Sequence, residues 1–233
     1  MASGSADIAF GSGGTVTSRI ALDAGRGESA VYPSQIQVDA FGRTLTLART
    51  STSITLYRLT ENGQLDTRFA AATGGLLRIE LPRGVQDSGG RVNDVHIAQD
   101  ASNRYYVQIG PQVIRLTSSG KIDRTYGRRG NSLLTNMSGG ADIAVNDDGV
   151  AYVVGTLNTP GKADSQRMVI TRIASNGRVD TTWGDKGLMA APVVNGGGAG
   201  SSGATRGKFI RFLEDGSICL LYTSDAADEG LGV

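Results

Sequence analysis

Short apolar runs rich in β-branched residues alternate with polar and glycine-rich turns along most of the chain, and none continues at the 3.6-residue spacing of a helix. Ile36 and Val38 lead into Asp39 to Gly42 and then into Leu45 and Leu47. Val95 and Ile97 lead into Asp100 to Asn103, then Tyr105 to Val107. Ile143 and Val145 precede Asp147-Asp148-Gly149 and Tyr152 to Val154, and Phe209 to Leu213 precede Glu214-Asp215-Gly216 and Ile218. Each set reads as a β-hairpin. Asn103 stands where the other turns carry Gly, and Asn is the side chain that best tolerates positive φ, so a tight turn is expected there too.

These hairpins sit inside a longer period. Leu56-Tyr57-Arg58-Leu59 through Gly63-Gln64-Leu65-Asp66 aligns without gaps with Ile114-Arg115-Leu116 through Gly120-Lys121-Ile122-Asp123, and with Thr171-Arg172-Ile173 through Gly177-Arg178-Val179-Asp180. The arginines, the glycines and the aspartates are each spaced 57 and 57. Three residues after each Asp comes an aromatic, Phe69, Tyr126 or Trp183; Gly127 and Gly184 follow, then Gly130 and Gly187. An earlier copy of this turn opens the chain as Asp7-Ile8-Ala9-Phe10-Gly11, without its upstream strand.

Each period supplies four strands. One follows the aromatic-glycine turn (Leu76 to Leu81, Ser132 to Leu134), two flank the Asp-Gly turn, and one carries the Arg. On the Arg strand Tyr57 and Leu59 face one way, Leu56 and Arg58 the other, and both sets are expected to be at least partly buried. Four antiparallel strands per repeat make a propeller blade, and a lone blade cannot cover both its faces, so neighbours must stack. The expected fold is therefore all-β, a β-propeller of four-stranded antiparallel blades. Blades are drawn at about 7–65, 66–122, 123–179 and a partial 180–218. About three and a half blades fall short of the usual four to eight, so an incomplete ring is expected.

These residues resemble the delta-60 repeat family, in which an arginine-leucine pair and an Asp-Gly type of turn precede Leu-Asp-x-x-Phe-Gly-x-x-Gly. Leu65-Asp66-Thr67-Arg68-Phe69 and Val179-Asp180-Thr181-Thr182-Trp183-Gly184-Asp185-Lys186-Gly187 carry the pattern, and the resemblance runs from about residue 7 to about 218. The second copy departs from it, with Ala70 in place of Gly and Ala71 to Gly75 altering the spacing. The resemblance implies tandem propeller-like repeats in a bacterial, often exported, protein; it implies no activity. From about Cys219 the repeat pattern stops, and Leu220-Leu221-Tyr222-Thr223-Ser224-Asp225-Ala226-Ala227-Asp228-Glu229 resembles translated sequencing-adapter read-through. Residues 219–233 are accordingly set apart as a non-native tail.

Composition narrows the function classes. Glycine supplies 34 of 233 residues, roughly twice its usual share of about 7%, which suits many tight turns. With 23 basic and 22 acidic side chains the formal charge is +1, giving no electrostatic reason to expect nucleic acid. No apolar stretch approaches the roughly 18 residues of a membrane span, so membrane insertion is not expected. The single Cys219 excludes an internal disulfide. Met1 to Ser5 lack the basic and apolar regions of a signal peptide, and because the chain opens inside a repeat, any such peptide is expected to lie upstream. A secreted or cell-surface location in a bacterium is expected on the resemblance.

Candidate chemistry is sparse. His96 is the only histidine and sits between Val95 and Ile97 on a strand, a structural position that leaves no Ser-His-Asp or histidine-ligated metal centre. Gly198-Ala199-Gly200-Ser201-Ser202-Gly203 matches a dinucleotide fingerprint, but Ala204 to Phe212 carry no helix pattern to hold a pyrophosphate, so a loop insertion is expected. The acidic turns at Asp39, Asp100, Asp147-Asp148 and Glu214-Asp215 lack the Asp-x-Asp-x-Asp-Gly spacing of a calcium loop and read as turn chemistry. Arg58/Asp66, Arg115/Asp123 and Arg172/Asp180 share one offset and recur per repeat, as a structural ion pair would. No catalytic, cofactor-binding or metal-binding residue is assigned.

One asymmetry points toward function. The Asp-Gly and aromatic-glycine turns keep their form, whereas Asp23 to Ser34, Pro82 to Arg91, Asn195 to Gly207 and Thr156 to Gln166 vary, the last against a much shorter Gly110-Pro111-Gln112. Alternation in an even-stranded meander puts both variable classes on one face, where repeat proteins commonly bind partners. The expectation is a non-enzymatic binding or scaffolding module taking an unidentified protein or glycan through that face. The alternative is a propeller hydrolase or lyase with its site in the central channel, completed by further blades.

Overall fold

The computed structural model describes residues 7–17, 32–50, 52–81, 95–135, 137, 139–158, 166–190 and 205–224. Among them every regular element is a strand, apart from a three-residue 3-10 turn at Ala71–Thr73. The first antiparallel sheet is β1 (Tyr32–Val38), β2 (Thr44–Arg49), β3 (Ser53–Leu59) and β4 (Leu76–Glu80), hydrogen-bonded in chain order. The second is β5 (Val95–Gln99), β6 (Tyr105–Ile109), β7 (Gln112–Leu116) and β8 (Asn131–Leu133). The third is β9 (Gly139–Val145), β10 (Ala151–Asn158), β11 (Gln166–Ile173) and β12 (Leu188–Ala190). A final hairpin joins β13 (Thr205–Phe212) to β14 (Ile218–Ser224).

The four strands per period are thus as expected, but their phase is not. The strand after the aromatic-glycine turn closes the sheet of its own Arg strand: Leu76 pairs with Tyr57 and Leu77 with Leu56. The boundaries drawn at 65/66, 122/123 and 179/180 therefore fall inside sheets. The isolated bridges Leu59–Leu65, Leu116–Ile122 and Ile173–Val179 explain why, because they fold each Asp turn back onto the strand it leaves. Cys219 to Ser224, set apart in the sequence, continue β14 and pair with Arg211 back to Thr205. Most of the variable segments, the Gly198 to Gly203 fingerprint and residues 225–233 lie outside the described residues.

The hairpin turns are one structure used four times. The amides of Asp39, Asp100, Asn146 and Leu213 donate to the carbonyls of Arg43, Arg104, Val150 and Ser217, four residues on in each case. Asn103 takes φ 58°, the left-handed conformation that Gly42, Gly149 and Gly216 take at the same point. Asp39 and Asp100 spend their carboxylates on their own turns. Asp39 accepts from the amides of Phe41 and Arg43 and from Arg43 Nε at 2.7 Å; Asp100 accepts from the amides of Ser102 and Arg104, from Arg104 Nε and from the Tyr106 hydroxyl.

The chain divides into two compact units, one of residues up to Val92 with Thr117–Lys121, the other of Asn93–Leu116 with Ile122 onward. In the first, Leu45, Leu47, Ile54, Leu56 and Phe69 are fully buried, and β3 is buried on both faces apart from a half-buried Tyr57. In the second, the sheets stack side by side. Tyr106, Val113 and Tyr126 of one sheet pack against Ile143, Val153 and Val169 of the next, with the Tyr106 and Tyr126 rings edge to face at 5.7 Å. Val154, Met168 and Ile170 then pack against Ile210, Phe212 and Leu220. Each fully buried large apolar side chain contributes about 1.5–3 kcal/mol.

The stacking is tightest where one aromatic-glycine turn meets the next repeat's turn. The Gly127 amide donates to the Asn176 carbonyl at 2.8 Å, and an added Cβ on Gly177 would lie 2.3 Å from the Gly127 nitrogen and 2.8 Å from the Tyr126 ring. Gly177 also sits at φ +82°. Gly177→Ala is expected to destabilise the protein by about 1–3 kcal/mol. Gly216→Ala, with similar φ but open space around it, should cost visibly less in the same thermal-denaturation series.

Candidate functional site

The recurring Arg/Asp pair is a clamp between a strand, its own turn and the turn that follows in the next period. Arg58 donates from Nε (3.1 Å) and Nη2 (2.9 Å) to Asp66 Oδ2, and from Nη1 to the Ser118 carbonyl 60 residues on at 2.7 Å. Arg115 repeats this with Asp123 Oδ2 and with the Ser175 carbonyl, again 60 residues on at 2.7 Å. Each guanidinium also lies over the aromatic that follows its Asp: Arg58 over Phe69 at 5.1 Å and Arg115 over Tyr126 at 4.5 Å. Arg172 holds Asp180 at 3.1 Å, but position 232, its counterpart of Ser118, lies outside the described residues, and its side chain is 29% exposed against 4% for Arg58 and Arg115. The structural reading of the repeated pair fits this geometry.

Turn anchoring extends past the point where the sequence pattern lapses. Ala70 adopts φ 45° and donates to the Ser119 carbonyl at 2.8 Å, as Gly127 does to Asn176. The Ala71–Thr73 turn absorbs the irregular spacing. Gly11 donates to Asn62 at 3.0 Å, so the opening copy of the motif docks as its successors do.

Burial opposes ionisation of Asp66, yet the hydrogen bonds from Arg68 and Arg58 outweigh it and hold this carboxyl below the ordinary value of 3.8. At Asp123 burial again opposes ionisation, and the Thr125 hydroxyl and amide with Arg115 outweigh it and hold the carboxyl below its ordinary value. Depressed carboxyls stabilise the fold above their unfolded value, and that stability is lost as pH falls through the lower folded one. Asp66→Ala, which takes the carboxylate away from the buried Arg58, is expected to cost about 3 kcal/mol. The stability difference from Asp66→Asn should shrink as pH drops below 3.8. Unchanged thermal stability in Asp123→Ala would remove the clamp as a general device.

A different cluster is not repeated. Three first strands carry a one-residue bulge at the same place, at Ser34, Ala141 and Lys208. Aligned on the hairpin turns, the next position is Gln35, His96, Asp142 or Phe209, and the one after it is Ile in all four strands: Ile36, Ile97, Ile143 and Ile210. The framework residue is constant while its neighbour changes chemistry each time. A bulge re-aims the side chain beside it, and bulges concentrate next to sites.

In the second unit this position converges. Asp142 is buried, with its side chain 3% exposed. Its Oδ2 accepts from the Ile210 amide at 3.1 Å and from Arg211 Nη1 at 2.7 Å. Its Oδ1 lies 3.4 Å from His96 Nδ1 and has no hydrogen-bond partner. Arg211 is 43% exposed, and its guanidinium stacks on the Phe209 ring at 4.1 Å. A histidine, a carboxylate, an arginine and an aromatic ring thus come together from β5, β9 and β13. His96, placed by the sequence as a structural residue, faces this cluster. The sequence left Asp142 and Arg211 unassigned; registering first strands on their turns, rather than on the Arg/Asp pair, would have isolated Asp142 beside His96 and Phe209.

The cluster presents a part-exposed guanidinium beside the Phe209 ring, held by the enclosed Asp142 carboxylate, a set suited to a polar ligand that accepts hydrogen bonds and has an apolar side. Among the described residues no group of three or more His, Cys, Asp or Glu side chains could hold a metal ion, and no helix is long and apolar enough to cross a membrane.

No family model and no curated protein matches this chain. Several solved structures are similar at low identity. A protein of unknown function from Bacteroides caccae aligns at 12% identity and TM-score 0.33, covering 70% of this chain and 68% of its own. A calcium-binding protein, regucalcin, from Agrobacterium tumefaciens aligns at 9% and 0.33; the match covers 63% of this chain but only 43% of that one. A GH43 endo-arabinanase from Bacillus licheniformis aligns at 17% and 0.39, covering 82% and 72%. What the chain itself displays is an all-β architecture of four-stranded antiparallel sheets.

Proposed function

We propose that this chain is a non-enzymatic binding or scaffolding module whose sheets are blades of a β-propeller in an incomplete ring. The delta-60 resemblance supports a bacterial, secreted or surface-exposed setting for it. The observation that carries the reading is the split between constant and changing positions on the first strands. Ile recurs four times, while the residue before it is Gln35, His96, Asp142 or Phe209. A position held by a recurrent bulge, yet free to change its chemistry, is where a repeat array acquires a partner. The variable segments Asp23 to Ser34, Pro82 to Arg91 and Asn195 to Gly207 run up to or into three of the first strands. A ligand at His96, Asp142 and Arg211 would therefore adjoin the face assigned to a protein or glycan partner.

The clamp residues do not compete for this role. Arg58, Asp66, Arg115 and Asp123 are committed to one another and to the carbonyls of Ser118 and Ser175. The hydrolase or lyase alternative needs an acid and a base beside an accessible reacting bond, and the cluster's one carboxylate is engaged by Arg211.

Screening the purified chain against a panel of glycans, cell-wall fragments and peptides is expected to yield a binder whose affinity falls at least about tenfold in His96→Ala and Arg211→Ala. Asp66→Asn, checked to be folded, should bind it as well as the parent does. A binder indifferent to both site variants would remove the cluster from the reading, and release of cleaved glycan would favour the enzymatic alternative.

A further inference from the structure

The repeat buries both faces of a sheet, and the positions that do so can be followed from sheet to sheet. On one face is the first-strand isoleucine. Ile97, Ile143 and Ile210 are 2%, 1% and 0% exposed, whereas Ile36 is 63% exposed. In the second unit the cause is visible: Ile143 packs against Tyr126 and Val113, and Ile210 against Val154 and Met168, side chains of the sheet before it. Two residues on, Val145 and Phe212 pack into the same clusters, while their counterpart Val38 is 53% exposed.

The opposite face shows the converse at β13 and β14. Leu47, Gln108 and Val154 occupy one position of the second strand, each paired with the residue after the bulge site, and all three are 0% exposed. Leu221 holds that position in β14, paired with Phe209, and is 60% exposed; Phe209 itself is 38% exposed. The two open faces are matching halves of a contact the chain already makes, since Val154 and Ile210 meet in one cluster. Leu221 is the counterpart of the first, and Ile36 of the second.

We propose that copies of this chain associate head to tail, the Phe209 and Leu221 face of one copy covering the Ile36 and Val38 face of the next. Such a contact joins two unlike surfaces, so it closes into a ring or extends as a filament and does not form a symmetric pair. Phe209 belongs to the repeats proper, so the face does not depend on residues 219–233 alone. Ile36, Val38 and Leu221 take no part in the cluster around Asp142, so they test this contact apart from the ligand site, whereas Phe209 also stacks on Arg211 there.

The test is the molar mass of the purified chain as a function of concentration, by sedimentation velocity, with thermal unfolding to confirm that each variant folds. The parent mass is expected to rise with concentration. Ile36→Lys and Leu221→Lys, both at exposed sites, should each weaken association at least about tenfold; Phe209→Lys should do the same and gives a second readout on that face. An equimolar mixture of Ile36→Lys with Leu221→Lys should recover pairs and nothing larger, because each variant keeps one intact face. A parent that stays monomeric to its solubility limit, variants that associate like the parent, or a mixture no heavier than its separate components would overturn the proposal.

Discussion

The guanidinium clamps of Arg58 and Arg115 each neutralise a largely enclosed carboxylate, stack on an aromatic ring and satisfy a backbone carbonyl 60 residues away. A buried arginine with any of these partners missing would be a liability, since uncompensated charge in a protein interior costs several kcal/mol. With all three in place it ties a strand to its own turn and to the next one. Backbone contacts reinforce the same junction: the amide beside the aromatic reaches a turn carbonyl in Gly11–Asn62, Ala70–Ser119 and Gly127–Asn176. Phe69 and Tyr126 lie so close to Gly120 and Gly177 that neither glycine has room for a side chain. Sheet order, hairpin form and core packing are arranged around these junctions.

Most of this framework could be read from the sequence because it recurs. The 57-residue spacing of Arg58, Arg115 and Arg172 marks the clamp, and Asn103 in a glycine position foretells the left-handed turn that the structure contains. Phase was harder. A period has no intrinsic start, and only strand pairing reveals that Leu76–Glu80 completes the sheet it follows. Ala70 illustrates a second limit: the geometry of the turn survives in a residue whose identity argues against it, because the Ser119 carbonyl and the packing of Phe69 fix the backbone there.

The candidate site was illegible for the opposite reason. His96, Asp142 and Arg211 do not recur, and 46 and 69 residues separate successive members, so no spacing rule draws them together. Their proximity comes from stacking of sheets, which places three first strands side by side, and from the bulge on β9 that aims Asp142. A lone histidine between two buried apolar residues looks like core until the neighbouring sheet supplies the carboxylate that it faces.

The reach of the clamp also bears on how the chain acquires its structure during synthesis. Arg58 emerges from the ribosome some 60 residues before Ser118, so the charge pair with Asp66 forms early while its third partner is still untranslated. Every newly made sheet must wait, half-secured, for the turn of its successor, and closing so long a loop costs chain entropy that local hairpins do not. Folding would then advance along the nascent polypeptide one period behind translation, leaving the most recent sheet as the segment most in need of protection by chaperones.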